Sequence, residues 1–230
     1  MRMNKRGQSH IEFIVSFTLF VSFVLVILLF FRPSTKSGDI GLDAIENAIM
    51  TKITTDYSFF SVKSSLNLMP DCFCFENHYP VSGGIAAKDE NKQRVAAALT
   101  GSRVCLKAQD ELKFYYVYFS EEFSSSGWSC ESPIIDNEVQ TGPLIELGAV
   151  SNSMLGNFSE EYSNSYDSLK QELGISNYDF KVEVFENGNK TMAMERKTPL
   201  GRPVYSRDVP VEIVYSEGNL SYSIMRFSVW

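Results

Sequence analysis

Hydrophobic positions along this chain fall into one long unbroken run and a series of shorter, periodic ones. From Phe13 to Phe31 stand nineteen residues, FIVSFTLFVSFVLVILLFF, without a charge and with only Ser16, Thr18 and Ser22 as polar interruptions. As a helix that run rises roughly 28 Å, close to the thickness of a bilayer's hydrocarbon core, and its three hydroxyls can bond back to the helix backbone. It reads as a hydrophobic transmembrane helix. Pro33, Ser34, Ser37 and Gly38 then break or bend the chain. Leu42, Ile45, Ile49 and Ile53 recur at spacings of three and four, which predicts a second helix starting near Asp39 with its stripe packed against a sheet.

Strand signals dominate the middle of the chain. ELKFYYVYF, residues 111–119, is rich in aromatic residues and reads as a buried strand, and a Ser/Gly/Pro-rich loop over about residues 120–143 comes after it. Met154, Phe158, Tyr162, Tyr166, Leu169 and Leu173 then recur every three or four residues, with Asn152 placed to cap the helix and Gly174 to stop it. Such a stripe is core far more often than a ligand box. Two hairpins close the chain, one turning at Asn187-Gly188 and one around Gly218. The pattern predicts an α+β domain, antiparallel β-hairpins with amphipathic helices against one face, behind an N-terminal apolar helix. One domain is the simpler count, with residues 57–143 as the candidate for a separate lobe.

Composition narrows the function. Hydrophobic residues make up 44% of 230 positions and aromatics 13%, enough to build a core. The formal charge of -7, with no Lys/Arg cluster beyond the extreme N-terminus, argues against a nucleic-acid partner. Only two histidines occur, His10 and His78, and there is no G-x-S-x-G, H-E-x-x-H, P-loop or glycine-rich nucleotide fingerprint. The adjacent acids Glu121 and Glu122 read as solvated surface. No catalytic residue, cofactor or metal site is assigned, and the chain is not read as an enzyme.

Arg2, Lys5 and Arg6 precede the apolar run, and Arg32 and Lys36 come after it. The tight N-terminal cluster favours a cytoplasmic N-terminus and an exported remainder. The apolar core is longer than a secretory signal's, and RPSTKSGDIG after it offers no A-x-A-like site, so the helix is expected to stay. On the exported side four cysteines, Cys72, Cys74, Cys105 and Cys130, favour disulfides. Four cysteines allow three pairings; Cys72 and Cys74 point the same way on a strand, so each is expected to pair with Cys105 or Cys130. A C-x-C pair also ligates metal, but no histidine or second C-x-C stands nearby to complete a zinc site. Asn157, Asn189 and Asn219 open N-x-S/T sequons, the last two in or beside hairpin turns, and are candidates for glycosylation.

One residue does not fit a plain anchor. Glu12 stands at the mouth of the apolar run, where an ionised carboxylate is costly unless it meets a partner. Ahead of it run Lys5, Arg6, Gly7, Gln8 and Ser9. This order resembles the class III signal of type IV pilin-like proteins, in particular the archaeal form, and is related to that of the tight-adherence pseudopilins. The match covers about residues 5–31, and it lacks the proline that bacterial pilins often carry within the helix, since the first proline here is Pro33. The resemblance implies that a membrane-embedded prepilin peptidase cuts between Gly7 and Gln8. It implies too that Glu12 pairs with the amine of a neighbouring subunit's Gln8.

By that resemblance, residues 1–7 are a leader, 8–32 the transmembrane and assembly helix of a pilin-like spine, 33–56 a spine extension or linker helix, and 57–230 the exported domain. The protein is then a subunit, minor pilin or pseudopilin, of an extracellular filament or secretion-type assembly. Its partners are the membrane, the prepilin peptidase and other pilin-like subunits. It would sit in the cell membrane by a single pass, N-terminus cytoplasmic and C-terminal domain extracellular, or in a surface filament. The alternative is a single-pass, signal-anchored protein whose exterior domain binds a ligand without polymerising and is indifferent to changes at Gly7 and Glu12. Loss of residues 1–7 removes Arg2, Lys5 and Arg6, taking the side-chain charge from -7 to -10.

Overall fold

The computed structural model describes residues 14–25, 37–65, 71–107, 114–124, 127–130, 138–198, 200–201 and 203–230. The chain divides into two compact units, residues 1–37 and 38–230. In the first, α1 (residues 14–25) exposes every side chain except half-buried Val24. Thr18 donates its hydroxyl to the Ile14 carbonyl at 2.8 Å, so the polar interruption is absorbed by the helix itself.

The second unit begins with α2 (Ser37–Ile53), which runs without a break into β1 (Thr54–Ser64). Leu42, Ile45, Ile49 and Ile53 are buried at 2% exposure or less, as the stripe predicts. Gly41 lets this helix lie close over Tyr178: a Cβ there would stand 2.9 Å from the ring. Next come β2 (Cys72–Glu76), β3 (Gly84–Asp89), β4 (Arg94–Val95), β5 (Ala97–Thr100), β6 (Arg103–Lys107), β7 (Phe114–Ser120), β8 (Val139–Thr141) and β9 (Ile145–Ser151). Two helices, α3 (Asn152–Asn164) and α4 (Tyr166–Glu172), precede the hairpins β10 (Phe180–Glu186) with β11 (Asn189–Met194) and β12 (Tyr205–Val214) with β13 (Leu220–Val229).

Ten strands form one sheet in the order β11-β10-β13-β12-β9-β1-β7-β3-β4, with β8 also on β1; β2-β6-β5 form a second, three-stranded sheet. Each pairing is antiparallel except β9 with β12, which run parallel at Ile213↔Val150 and Val214↔Ser151. That short parallel contact joins two halves of the large sheet. The α2, α3 and α4 side chains cover the β10–β13 half, closing a core around Phe158, Phe180 and Phe227. The small sheet covers β1, β3 and β7 through Phe73, Phe75 and Leu106, packed on Phe60, Tyr115 and Phe119. Both covers lie on one face, because Val150 of the first core and Phe60 of the second share a side through the β1–β9 register.

Local chemistry sets several boundaries. Asn187 and Gly188 take positive φ of 50° and 79°, the left-handed pair a tight hairpin needs. Gly174, φ 69°, stops α4. The cap of α3 is Ser151, not the expected Asn152: its hydroxyl accepts the Met154 N–H at 3.0 Å. The expected single helix through Leu173 breaks at Ser165, and Leu155 rather than Met154 carries the start of the buried stripe. The strand expected to be buried, 111–119, is observed as β7 with only alternate residues in the core: Tyr115, Val117 and Phe119 point in, Phe114 and Tyr116 are exposed.

The expected architecture is corrected. The described residues are mostly β, 46% strand against 26% helix, with a large mixed sheet in place of a set of antiparallel hairpins. Among the described residues no helix is long and apolar enough to cross a membrane. The described part of the apolar run is α1, residues 14–25. The described residues therefore contain no transmembrane helix and no continuous apolar spine. The stripe of α2, expected in a spine extension, is consumed in the core of the second unit. For the same reason the expectation of a single-pass location in the cell membrane, cytoplasmic N-terminus and extracellular domain, is overturned.

Candidate functional site

The residues assigned to leader cleavage and assembly, Gly7, Gln8 and Glu12, lie outside the described residues. The cysteines lie within them. The disulfides are Cys72–Cys130 and Cys74–Cys105. Cys74 and Cys105 face each other across the β2–β6 ladder, and Cys72, two residues earlier on the same side of β2, ties down the segment carrying Trp128 and Cys130. The three sequon asparagines are exposed: Asn157 on α3, Asn189 at the first position of β11, and Asn219 in the β12–β13 turn.

The face of the large sheet turned away from both covers carries the strongest concentration of functional groups. Alternation along each strand puts Tyr57 and Phe59 of β1 on it, with Ala86 and Lys88 of β3, Tyr116 and Tyr118 of β7, Ile145 and Leu147 of β9, Glu212 of β12, and Tyr222 and Ile224 of β13. The face is concave. The β12–β13 turn reaches back across to β3, where a Cβ on Gly218 would stand 2.3 Å from that of Ala86, so glycine is required for the approach. The Ser124 N–H bonds the Ser216 carbonyl at 2.9 Å and holds the segment after β7 to the same turn.

At the centre of this concavity Tyr57 donates its hydroxyl to Glu212 at 2.5 Å. Phe59 and Tyr118 stack with ring centroids 5.5 Å apart, and the Lys88 ammonium lies 5.8 Å from the Tyr118 centroid. Burial pushes the Tyr57 and Tyr118 phenols up, and the Glu212 charge pushes both further the same way. Burial lowers the Lys88 ammonium; Glu212 opposes this and Lys92 adds to it. The centre thus holds a buried Tyr57 bonded to Glu212, with half-buried Lys88 and Tyr118 beside it, while six large side chains around it, Phe114, Tyr116, Ile145, Leu147, Tyr222 and Ile224, are 38–81% exposed. The arrangement suits binding by stacking and hydrogen bonding.

On the opposite, covered face a cleft of about 610 Å³ opens along β1 and β9, lined by Thr54, Asp56, Ser58, Glu146 and Glu121 and by Pro80–Ser82. The adjacent acids read as solvated surface divide their labour. Glu121 lines this cleft, whereas Glu122 accepts the Ser151 hydroxyl, the Ser153 N–H at 3.0 Å and the Ser153 hydroxyl at 2.7 Å. Glu122 therefore completes the cap of α3. No protein-family model, curated protein or solved structure matches the chain.

The concave face escaped the reading of the sequence because its partners are far apart. Tyr57 and Glu212 are separated by 155 positions, and each sits in a strand that also carries core residues. The available signal was aromatic residues on both alternations of β1 and β7, such as Phe59 beside Phe60 and Tyr118 beside Phe119. A strand with one solvated face has no need of both.

Proposed function

We propose that this protein is a subunit of a type IV pilin-like assembly, cut by a prepilin peptidase between Gly7 and Gln8 and joined to neighbouring pilin-like subunits through the adjoining apolar segment. The observation that carries the reading is α1, where Phe17, Leu19, Phe20 and Phe23 are 60–67% exposed on successive faces. A helix apolar on every side needs apolar neighbours on every side. Helices of adjacent subunits supply them, and Glu12 of one subunit pairs with the Gln8 amine of another, which sets the register. The order Lys5, Arg6, Gly7, Gln8, Glu12 supports the cleavage half of this reading. Two disulfides fit assembly in an oxidising compartment, and the exposed Asn157, Asn189 and Asn219 fit glycan acceptors there.

Intact mass and N-terminal sequencing of the protein from its native source, beside Gly7→Ala, test this. The wild-type chain is expected to start at Gln8, the Gly7→Ala chain to remain uncut, and Glu12→Ala to be cut yet missing from sedimenting assemblies. A wild-type chain that still starts at Met1 overturns the reading. It would leave the second one, a binding protein that does not polymerise, which the exposed apolar side chains of the concave face favour.

A further inference from the structure

Charge is matched on one half of the concave face and unmatched on the other. On the β10–β13 half Lys181 is held by Glu183 at 2.9 Å and Arg226 by Asp208 at 2.7 Å. On the other half the ladders Lys63↔Phe114, Lys88↔Tyr116 and Lys88↔Arg94 put Lys63 of β1, Lys88 of β3 and Arg94 of β4 on the face. Among the described residues none of these three forms an ion pair, and the alternation of β1, β3, β4 and β7 places no carboxylate beside them. Glu212, reaching in from β12, already accepts the Tyr57 hydroxyl. Ring faces stand among the cations: the Lys63 ammonium lies 5.6 Å from the Phe114 centroid, that of Lys88 5.8 Å from the Tyr118 centroid, and Phe59 stacks on Tyr118. Two strands and two residues separate Lys63 from Lys88, roughly 12 Å between Cα atoms.

An occupant that complements this half brings well-spaced negative charges, flat apolar faces and hydroxyl groups. A nucleic-acid strand brings a charge on every unit, which Glu212 and the formal charge of -7 both repel. A glycan with a carboxylate on alternate sugars spaces its charges more widely, and its hydroxyls donate to the carboxylate that a phosphate would avoid. We propose that the β1–β7–β3–β4 half of the concave face binds such an acidic glycan. Lys63, Lys88 and Arg94 pair with its carboxylates, the exposed rings of Phe114 and Tyr116 lie against the C–H faces of its sugars, and Glu212 accepts ring hydroxyls. Salt screens the net charge of the chain beyond about 8 Å, so the local cations decide the contact. The inference rests on the concave face being a recognition surface and is independent of cleavage after Gly7 and of assembly.

The test titrates the full chain, disulfides intact, with a hyaluronan octasaccharide in a calorimeter, beside an uncharged chitin oligosaccharide and an oligothymidylate of the same number of units. Hyaluronan is expected to bind, more weakly as salt is raised, and to bind more tightly than either comparator. Lys88→Gln and Arg94→Gln should each weaken it by about tenfold, the scale of one charge-assisted hydrogen bond. Tyr116→Ala should weaken it by about fivefold through the lost ring contact. Arg94 is exposed, so Arg94→Gln carries the test even where Lys88→Gln disturbs the face. Arg207→Gln removes an equal charge from the covered side, where Asp43 and Glu46 hold it, and should leave the affinity unchanged. No binding of hyaluronan, equal binding of the chitin oligosaccharide, tighter binding of the oligothymidylate, or a loss with Arg207→Gln as large as with Arg94→Gln each overturn the proposal. None of these results bears on where the mature chain begins, so the two readings fail separately.

Discussion

Replacing Ile49 by alanine measures whether α2 belongs to the folded core of the second unit or is a detachable extension of the N-terminal segment. Ile49 has no exposed surface and sits among Ile45, Ile53 and the side chains of α3, α4 and the β10–β13 half of the sheet. The substitution removes three carbons, about 2.4 kcal/mol at about 0.8 kcal/mol each in transfer alone. A cavity adds to this when the surroundings cannot close in, and measured Ile→Ala costs span about 2–5 kcal/mol. Here closure is restricted, because α2 continues directly into β1, whose register is fixed by β7 on one side and β9 on the other. A loss of about 3–4 kcal/mol is expected, within that measured span. Urea unfolding of the full chain monitored by tryptophan fluorescence reports it, since Trp128 and Trp230 both lie in the second unit. The midpoint should fall with an unchanged m-value, and the melting temperature should drop by roughly 10 °C. Asn47→Ala, on the exposed side of α2, should stay within about 0.5 kcal/mol of wild type. A loss below about 1 kcal/mol for Ile49→Ala, far under the cost of a buried truncation, would refute the packing and make α2 a separable arm.

Two further outcomes rest on particular hydrogen bonds. Ser151→Ala removes the α3 cap and one of the donors to Glu122, so it should cost about 1–2 kcal/mol in the same urea assay, with Ser153→Ala costing less; equal, negligible losses would sink the capping network. In alkali, burial and neighbouring carboxylates push Tyr166 and Tyr215 up to about 12 and Tyr57, Tyr118 and Tyr162 upward as well. These phenols are protonated in both states below about pH 10, and the unfolded chain ionises first, so their contribution is intact there and is lost as pH rises towards about 12. Phenolate absorbance should therefore appear in two groups, the later one coincident with unfolding and diminished by Tyr215→Phe; a single step near about pH 10 in the folded protein would contradict the burial.

What could be read from sequence was what neighbours in sequence decide. The α2 stripe repeats within one helix, and Asn187-Gly188 dictates its own turn, so both appear where the pattern puts them. The Ser165 break did not announce itself, because the stripe from Phe158 to Leu169 keeps helical spacing straight through it. Its cause lies in another element. The Tyr162 hydroxyl donates to the Phe180 carbonyl at 2.6 Å while the Tyr166 hydroxyl accepts the Phe180 N–H at 3.0 Å, so two tyrosines clamp the first residue of β10. On a straight helix residues four apart are offset by about 6 Å along the axis, and the kink brings both hydroxyls to one residue. Sheet order was equally out of reach: β1 pairs with β7, β8 and β9, and the parallel contact of β9 with β12 is made after a detour through two helices and a hairpin.

The N-terminal expectation went wrong in a different way, since composition described the run correctly but its length and flanking charges were taken to fix its use as a membrane span. An apolar helix and an apolar sheet face satisfy different needs. The side chains of α1 are exposed except for half-buried Val24 and carry no hydrogen-bonding centre beyond hydroxyls such as Thr18, already bonded to its own backbone, so several apolar neighbours at once relieve the exposure. The concave face has an apolar rim around Tyr57, Glu212 and Lys88, and a single partner that stacks on the rim and bonds the centre relieves it. On the proposed reading the first arrangement serves assembly and the second recognition. They fall in different compact units, so on that reading a variant altered at Tyr222 is expected to be cut and to sediment with assemblies like the wild type, and a Glu12 variant to keep the wild-type urea midpoint.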